Sequence, residues 1–270
     1  CVLSRPTDSI SYKALHALPN AGAVDGYPVL AFINNEYVGL YTMNIPKDEW
    51  MFGMTDGEGT NAVLCGEDWL PATLFTGEAA IDGTDWDYEV EPADKSWVKE
   101  SFNKIYKALS MDASTPDAIA AKKAAIESCV DVYSVIDYGI FVNKLCLTDN
   151  TGKNLLMVTY DGVHWMMSAY DMDTAFGMHW SGAAYYDTSG DARSNLVEVV
   201  KNLYADVYAT RKAVLDETLS KKVICREIDS FIIDIPEEAF ALEAKLWPDM
   251  CGANSNSVGQ IKTFVILRDN

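Results

Sequence analysis

The sequence lacks the features that mark several well-defined protein classes. No apolar run reaches the ~18 residues that a membrane-spanning helix needs, and neither a Walker loop nor a Gly-x-Ser-x-Gly motif is present. The six cysteines are scattered and include no Cys-x-x-Cys pair, which argues against a zinc site. We therefore expect no transmembrane segment, and free buried thiols rather than disulfides.

Basic residues are also scarce. The 270 residues include 21 Lys and Arg against 40 Asp and Glu, which makes the net charge -19. Such a surface repels nucleic acid and anionic membranes, so neither is expected as the main partner. A nucleotide stays compatible with this charge, because metal ions can mask phosphate. With 49% hydrophobic and 23% charged residues, the chain reads as an ordinary globular protein with one large domain or two small ones.

Both ends of the sequence look interrupted. Cys1 is not an initiator methionine, and residues 262–270 stop within an amphipathic helical pattern. We therefore expect a piece of a longer polypeptide, truncated at both ends. The lack of a signal peptide then carries no information about location.

The first third of the chain is predicted to be rich in strands. Apolar residues 28–34 and 37–43 flank the polar turn Asn34-Asn35-Glu36, which is a hairpin pattern. Residues 85–90 alternate between apolar and polar, as in a strand at a sheet edge. Further short elements are expected as strands at residues 61–64 and 71–75, and as helices at residues 9–18 and after Pro46.

Helical patterns dominate from Ser96 onward. Thr115-Pro116-Asp117 combines a capping hydroxyl, a first-position proline and a first-turn acid, and Asp131 can cap the next helix. Two long helices are expected over residues 195–219 and 221–247, followed by a last helix. The prediction is an α+β protein with a strand-rich N-terminal part, a helix-rich C-terminal part and one embedded β-hairpin.

Two clusters of carboxylate and amide groups flank that embedded hairpin. The first is Asp149-Asn150-Thr151-Gly152-Lys153-Asn154, and the second is Asp171-Met172-Asp173-Thr174-Ala175-Phe176-Gly177. Apolar residues 155–160 and 164–170 lie between them, joined by Asp161-Gly162, which is a strong hairpin signal. A hairpin brings its outer ends together. The clusters are therefore predicted to form one oxygen-rich pocket suited to a hard cation such as Mg²⁺.

The spacing of these polar residues indicates phosphoryl transfer. Asp149 and Asn154 have the separation of the catalytic aspartate and metal-binding asparagine of protein kinases, and Asp171 follows after a hairpin. Asp149 would accept the proton of an attacking hydroxyl, while Asn154 and Asp171 would ligate magnesium on the phosphates. Asp173 would ligate a second ion or orient the other ligands. Lys47 is a candidate phosphate contact, with a plain surface lysine as the alternative.

Simpler interpretations stay open for several of these residues. Asp149-Asn150-Thr151-Gly152 is also a good turn. A calcium loop starting at the second cluster would need oxygen ligands where Ala175 and Gly182 stand, so an EF-hand is excluded. His164 and His179 are candidate metal ligands or bases, although lone histidines near tryptophans are more often packing or surface residues.

Several segments, taken in order, resemble the spore-coat CotH-type kinases, which are atypical members of the protein-kinase-like fold. The matching segments are Phe32-Ile33-Asn34-Asn35-Glu36-Tyr37-Val38-Gly39-Leu40-Tyr41, Trp86-Asp87-Tyr88-Glu89-Val90, residues 130–143, residues 149–154, residues 170–177 and Phe264-Val265-Ile266-Leu267-Arg268. The resemblance covers nearly the whole chain. The Tyr-x-Gly-Leu-Tyr and Asp-x-Asp motifs together are its most specific parts.

The resemblance implies a single bilobal domain, with a strand-rich lobe at residues 1–95 and a helical lobe at residues 96–270. It also implies ATP- and Mg²⁺-dependent phosphorylation of serine or threonine in a surface or coat protein, with Ca²⁺ or Mn²⁺ as alternative ions. By this analogy Asp149 is the catalytic base and Asp171 the main metal ligand. Asn154 is the second ligand and Asp173 supports it.

Departures from the family pattern leave other functions open. An acidic residue usual after the Gly-Leu-Tyr strand is replaced by Met43-Asn44-Ile45-Pro46-Lys47, and Tyr170 stands where tryptophan is common. The family's upstream lysine and Asp-x-Ser-x-x-Arg-Asn segment would precede Cys1. One alternative is a non-catalytic CotH-like structural module of a spore coat, cell surface or phage virion. Another is a calcium-stabilised adhesin that uses the same carboxylates structurally.

Overall fold

The computed structural model describes residues 11, 14–15, 26–44, 46–55, 57, 59–67, 74–178, 194–248 and 256–268. In these ranges the protein is a mixed α+β structure with two antiparallel sheets. Its strands are β1 (Gly26–Ile33), β2 (Glu36–Asn44), β3 (Ala62–Gly66), β4 (Trp86–Val90), β5 (Leu155–Thr159) and β6 (Met166–Ala169). Its helices are α1 (Glu49–Phe52), α2 (Ser96–Ser110), α3 (Pro116–Glu127), α4 (Val132–Leu145), α5 (Asn195–Leu203), α6 (Ala205–Thr218), α7 (Lys221–Ile232), α8 (Glu237–Leu246) and α9 (Asn256–Arg268), with a 3₁₀ turn at Asp149–Thr151.

The hairpin predicted in the first third of the chain is formed by β1 and β2. The strands pair antiparallel with Ile33 opposite Glu36. The turn residues Asn34 and Asn35 both have positive φ, at 52° and 65°. Positive φ at both central positions is the geometry of a type I′ turn, which asparagine tolerates better than most residues. The prediction of this hairpin is confirmed.

The second predicted hairpin, β5 and β6, also forms, but it does not stand apart among the helices. It completes a four-stranded sheet in the order β4-β3-β5-β6, in which β4 is an edge strand as its alternation predicted. Residues 160–165 connect the two strands, a wider loop than the two-residue Asp161-Gly162 turn. The Asp161 carboxylate accepts hydrogen bonds from the backbone N–H groups of Val163 (2.8 Å) and His164 (2.7 Å), and this builds the wider turn.

Local capping chemistry sets the starts of two helices that lead to the first cluster. The Thr115 hydroxyl accepts a hydrogen bond from the Ala118 N–H at the start of α3, and Pro116 occupies the first helical position. The Asp131 carboxylate accepts from the Ser134 N–H at the start of α4. Both predicted helix starts are confirmed.

The two long C-terminal helices predicted from the sequence were wrong, because the chain forms the four helices α5 to α8 there. The first break falls at Tyr204, which leaves the helical region with φ -119° and ψ 43°. Its hydroxyl donates to a Glu127 carboxylate oxygen at 2.9 Å, a contact with α3 that no local pattern shows. The second break precedes Pro236, which has no N–H to continue a helix.

The strand predicted at residues 71–75 was also wrong in its described part. Leu74 and Phe75 lie in a turn, where the Phe75 ring packs against Trp86 and Phe102. Of the helix predicted at residues 9–18, the described residues Ser11, Ala14 and Leu15 are helical, and the others lie outside the described residues. None of the helices in the described part is long and apolar enough to cross a membrane.

The central strand β3 fixes the position of the site. All five of its residues are buried, because β4 and β5 flank it and helices cover the sheet. The rings of Trp86, Phe102 and Trp165 pack beside it in edge-on pairs with centroids 4.9 Å apart. Burying one such ring contributes roughly 2–3 kcal/mol. The strand ends at Gly66, against the first polar cluster.

Candidate functional site

The first polar cluster is a short loop that follows α4 and is hydrogen-bonded to it. The 3₁₀ turn Asp149–Thr151 follows α4 after Cys146, which ends the helix in the left-handed region at φ 56°. Tyr138, on α4, is fully buried and donates its hydroxyl to the Asn150 carbonyl at 2.5 Å. This hydrogen bond ties the turn that carries Asp149 to helix α4.

Asn150 joins the two polar clusters. Its side chain is fully buried, and Nδ2 donates to the carbonyls of Asn154 (3.2 Å) and Tyr170 (2.8 Å). Tyr170 N–H donates in turn to the Asn154 carbonyl at 3.2 Å. These bonds bring the residue before Asp171 to the end of the first cluster. The two ends of the hairpin therefore meet, as predicted.

A glycine contact locks the first cluster against the sheet. Asn154 N–H donates to the Gly66 carbonyl at 3.0 Å. A Cβ atom added to Gly66 would lie 2.2 Å from the Gly152 carbonyl oxygen, closer than any two such atoms can approach. Gly66 therefore permits β3 and the loop to touch, and any larger residue there would push the loop away.

Asn154 and Asp171 face each other across the junction of the clusters. Asn154 Nδ2 lies 3.4 Å from Asp171 Oδ2. Both residues have positive φ, 57° and 50°, a region that costs energy for residues other than glycine. Such strain persists only where the surroundings hold it, and it concentrates at functional sites.

The electrostatics of Asp173 reflect the charges of the two other carboxylates in these clusters. Burial raises the pKa of Asp173 to about 6, and the negative charges of Asp171 and Asp149 add to the effect. Asp171 is exposed, whereas Asp149 and Asp173 are half-buried. These carboxylates concentrate negative charge near the junction of the two clusters.

The chemistry of these donors fits a hard divalent cation. Asp149, Asn154, Asp171 and Asp173 offer carboxylate and amide oxygens, the ligand type that Mg²⁺ prefers. Burial and, after it, repulsion by Asp171 and Asp149 raise the pKa of Asp173, and a bound cation would relieve the repulsion. Within the described residues, Thr174 Oγ1 and Asn150 Oδ1 are also buried without a hydrogen-bond partner.

His164 lies apart from this cluster. His164 lies in the loop between β5 and β6, at the end of the hairpin opposite Asn154 and Asp171. Its Nδ1 lies 2.7 Å from Asp161 Oδ2, and its side chain is half exposed. The surface interpretation of His164 is the one that the structure supports. His179 lies outside the described residues.

Lys47 lies beside the second cluster and is not a plain surface lysine. Its Nζ pairs with Glu89 on β4 at 2.5 Å and lies 5.9 Å from the centroid of the Tyr170 ring. Burial lowers the pKa of Lys47, but the Glu89 carboxylate outweighs this and raises the pKa above the ordinary lysine value. The result is a fixed cation next to the residue that precedes Asp171.

Sequence reasoning missed Glu89 and Cys65 as neighbours of this lysine. In the sequence, Glu89 stands in an alternating edge-strand pattern and Cys65 is one of six scattered cysteines. The two side chains and Glu67 bring their ligand atoms within 4.8 Å of one another. Burial raises the pKa of Cys65 to about 12, so its thiol stays protonated at neutral pH, 3.5 Å from Lys47 Nζ. The Lys47 ammonium already supplies a positive charge beside Cys65 and Glu89.

Comparison with known proteins gives a result over nearly the whole chain. The family model described as CotH kinase protein matches residues 10–270. No curated protein matches the sequence.

Proposed function

The chain belongs to the CotH kinase protein family, and from this premise we propose that it transfers the terminal phosphoryl group of ATP to serine or threonine hydroxyls of a protein. The observation that carries the proposal is the junction of the two polar clusters. The buried side chain of Asn150 joins the clusters, Asn154 lies beside Asp171, and the charges of Asp149 and Asp171 both act on Asp173. The acceptor would be a protein of a surface, spore coat or virion assembly.

Asp149 is proposed as the base. It stands half-buried on the 3₁₀ turn that Tyr138 and Asn150 support. A carboxylate on a rigid turn can accept a proton from the attacking hydroxyl without moving far, which lowers the cost of positioning.

Asp171, Asn154 and Asp173 are proposed to hold Mg²⁺, which would neutralise charge on the phosphates during transfer. Asn154 and Asp171 are already adjacent, and their left-handed backbones turn both side chains toward the same place. Mn²⁺ is the nearest substitute by ligand type.

Lys47 is proposed to contact the ATP phosphates from the sheet side. Glu89 and the Tyr170 ring hold its ammonium at the border of the second cluster. A lysine bound in this way keeps its charge and its position, which suits an anion contact. Its substitution should therefore weaken nucleotide binding more than proton transfer.

The direct test is transfer from radiolabelled ATP by the full-length polypeptide, measured with Mg²⁺ and with EDTA. We expect Asp149→Asn to lower the rate by about 100-fold or more, and Lys47→Met to raise the ATP concentration needed for half-maximal rate. Asp234→Asn, an exposed aspartate that follows α7, is the matched control and should behave as wild type.

Unchanged transfer by Asp149→Asn would refute the assigned base. If the wild type neither binds ATP nor transfers phosphate, the chain is instead a non-catalytic structural module. Binding of ATP without transfer would retain the nucleotide site and refute the kinase activity.

A further inference from the structure

A buried glutamate links the C-terminal helices to the β1–β2 hairpin. Glu243 lies on α8, and only 1% of the residue is exposed. A carboxylate that is taken out of water lowers the stability of the folded state unless hydrogen bonds and nearby charges replace its hydration. The residues proposed for phosphoryl transfer do not include Glu243, so its role has to follow from its contacts.

One oxygen of Glu243 receives hydrogen bonds from β2. Its Oε1 accepts from the backbone N–H of Leu40 and from the hydroxyl of Tyr37, the latter at 3.3 Å. Leu40 is buried, which limits competition from water. Hydrogen bonds to a charged acceptor are stronger than those between neutral groups. Glu243 therefore ties β2 to α8 through a charge-assisted contact in the interior.

Gly39 makes room for this carboxylate. A Cβ atom added to Gly39 would lie 2.8 Å from Glu243 Oε1, closer than real Cβ atoms approach another heavy atom. The φ of Gly39 is 147°, a value that residues with side chains rarely adopt. Tyr37, Gly39 and Leu40 all belong to the Tyr-x-Gly-Leu-Tyr motif. Three positions of this motif thus serve a single carboxylate oxygen from α8.

Strand β2 leads from this contact to Lys47. The strand ends at Asn44, and Lys47 stands three residues later, directly after Pro46, whose ring fixes its φ. Lys47 Nζ reaches Glu89 at 2.5 Å and lies 5.9 Å from the centroid of the Tyr170 ring. The placement of β2 therefore sets the point from which the Lys47 side chain reaches toward the second cluster.

We propose that Glu243 is a positioning residue for the nucleotide, because by holding β2 against α8 it fixes the backbone that carries Lys47. The step from Lys47 to ATP rests on the proposed function, whereas the step from Glu243 to Lys47 does not. Without the carboxylate, β2 can shift relative to α8, and the Lys47 ammonium loses its fixed position. ATP binding then weakens, while proton transfer at Asp149 is unaffected.

The first test measures β2 and Lys47 directly, in the full-length polypeptide and without ATP. In Glu243→Ala we expect hydrogen exchange of the β2 amides to rise about tenfold or more, because hydrogen bonds to a charged group are lost. Lys47 should also react faster with a lysine-acylating reagent, since its ion pair with Glu89 would open more often. Mass spectrometry measures both changes, and exchange in α2 should stay as in the wild type.

Three further variants isolate the contact. Glu243→Gln keeps an acceptor oxygen and should restore most of the protection of β2. Tyr37→Phe removes only the hydroxyl donor and should raise exchange in the same direction by a smaller factor, which decides the matter if Glu243→Ala does not fold. Glu238→Ala changes an exposed glutamate on the same helix and is the matched control, expected to behave as wild type.

Kinetics test the consequence for ATP. Glu243→Ala should raise KM for ATP several-fold and leave kcat per folded molecule unchanged, whereas a general loss of stability lowers the amount of active protein without changing KM. In the Lys47→Met background, Glu243→Ala should raise KM no further, because the glutamate acts through the lysine.

Equal exchange and equal acylation in Glu243→Ala and Glu238→Ala would overturn the proposal. A rise in α2 exchange as large as that in β2 would also overturn it, because the substitution would then act on the whole fold. The same holds if Glu243→Ala raises KM further in Lys47→Met, since Glu243 would act by another route. If the wild type transfers no phosphate, the proposed function fails, but exchange and acylation still decide whether Glu243 positions Lys47.

Discussion

At the scale of single residues, the proposed site contains side chains that lower the stability of the folded state. Asp173 is the clearest case. Its pKa is raised to about 6 by burial and by Asp171 and Asp149. A carboxyl group whose folded pKa lies above its ordinary value of about 4 destabilises the folded state as the pH rises between those two values. Above pH 6 the full penalty applies.

Asp173→Asn should therefore stabilise the protein in the absence of divalent cations. At pH 7.5 with EDTA we expect a gain of about 1–2 kcal/mol in the free energy of unfolding, because the amide removes a repelled charge. At pH 4 the gain should vanish, since the wild-type carboxyl is then protonated in the folded state. Melting curves at both pH values measure this.

Asp234→Asn makes the same change in net charge at an exposed position and should show little effect at either pH. An equal gain in both variants would mean that net charge alone, rather than the cluster, explains the result. The substitution is also expected to lower phosphoryl transfer, the usual conflict between stability and function.

At the scale of elements, α4 is the support on which the site is built. Tyr138 on α4 fixes the Asn150 turn, and Ser134 exchanges hydrogen bonds with Met167 on β6. On its other side α4 is tied to α6 by Asp137, which is fully buried and accepts two hydrogen bonds from Arg211, at 2.8 and 2.7 Å. Loss of the ion pair between Asp137 and Arg211 should therefore weaken the packing of α4 against α6.

Breaking the pair between Asp137 and Arg211 should be strongly destabilising. Arg211→Met removes the guanidinium that donates two hydrogen bonds to the buried Asp137 carboxylate, at a cost of about 3–5 kcal/mol. The double variant Asp137→Leu with Arg211→Met should cost less than the single Arg211 change, because no unpaired charge remains. Urea denaturation of the singles and the double gives the coupling energy.

Lys262 and Asp229 form an exposed ion pair between α9 and α7, and Lys262→Met serves as the control. It should change stability little, as exposed pairs usually do. A cost similar to that of Arg211→Met would show that burial is not what makes the first pair important.

At the scale of the whole molecule, the net charge of -19 makes cations a general source of stability. A specific Mg²⁺ site must stabilise the protein more than this general effect of cations does. We expect MgCl₂ to raise the melting temperature by several degrees more than NaCl of equal ionic strength, with the excess lost in Asp171→Asn.

Calcium and ATP separate the competing functions in the same experiment. A kinase site should respond to Mg²⁺ and further to ATP with Mg²⁺. If Ca²⁺ alone stabilises the protein and ATP adds nothing, the carboxylates are structural, as in the adhesin hypothesis. If no divalent ion exceeds NaCl, the assignment of Asp171, Asn154 and Asp173 as ligands fails.

Much of this protein could be predicted from its sequence, because the relevant forces are local. Asn34-Asn35 predicted its turn, since asparagine tolerates positive φ. Thr115 and Asp131 predicted helix starts, since their side chains reach N–H groups only three residues ahead. The two clusters were likewise predicted to meet, because a hairpin joins its own ends. The family match over residues 10–270 confirms the resemblance that these motifs carried.

Tertiary structure decided what depends on residues far apart in the chain. The pairing of β3 with β5 placed Gly66 against Gly152 and merged the hairpin into a larger sheet. Contacts between distant segments place Lys47 beside Glu89 and the Tyr170 ring, which no local pattern predicts. The cavity between α4, α6, α7 and α9 gathers side chains from four helices, so no window of sequence contains it. Local chemistry determines elements and motifs, whereas packing across the chain determines which charges become neighbours.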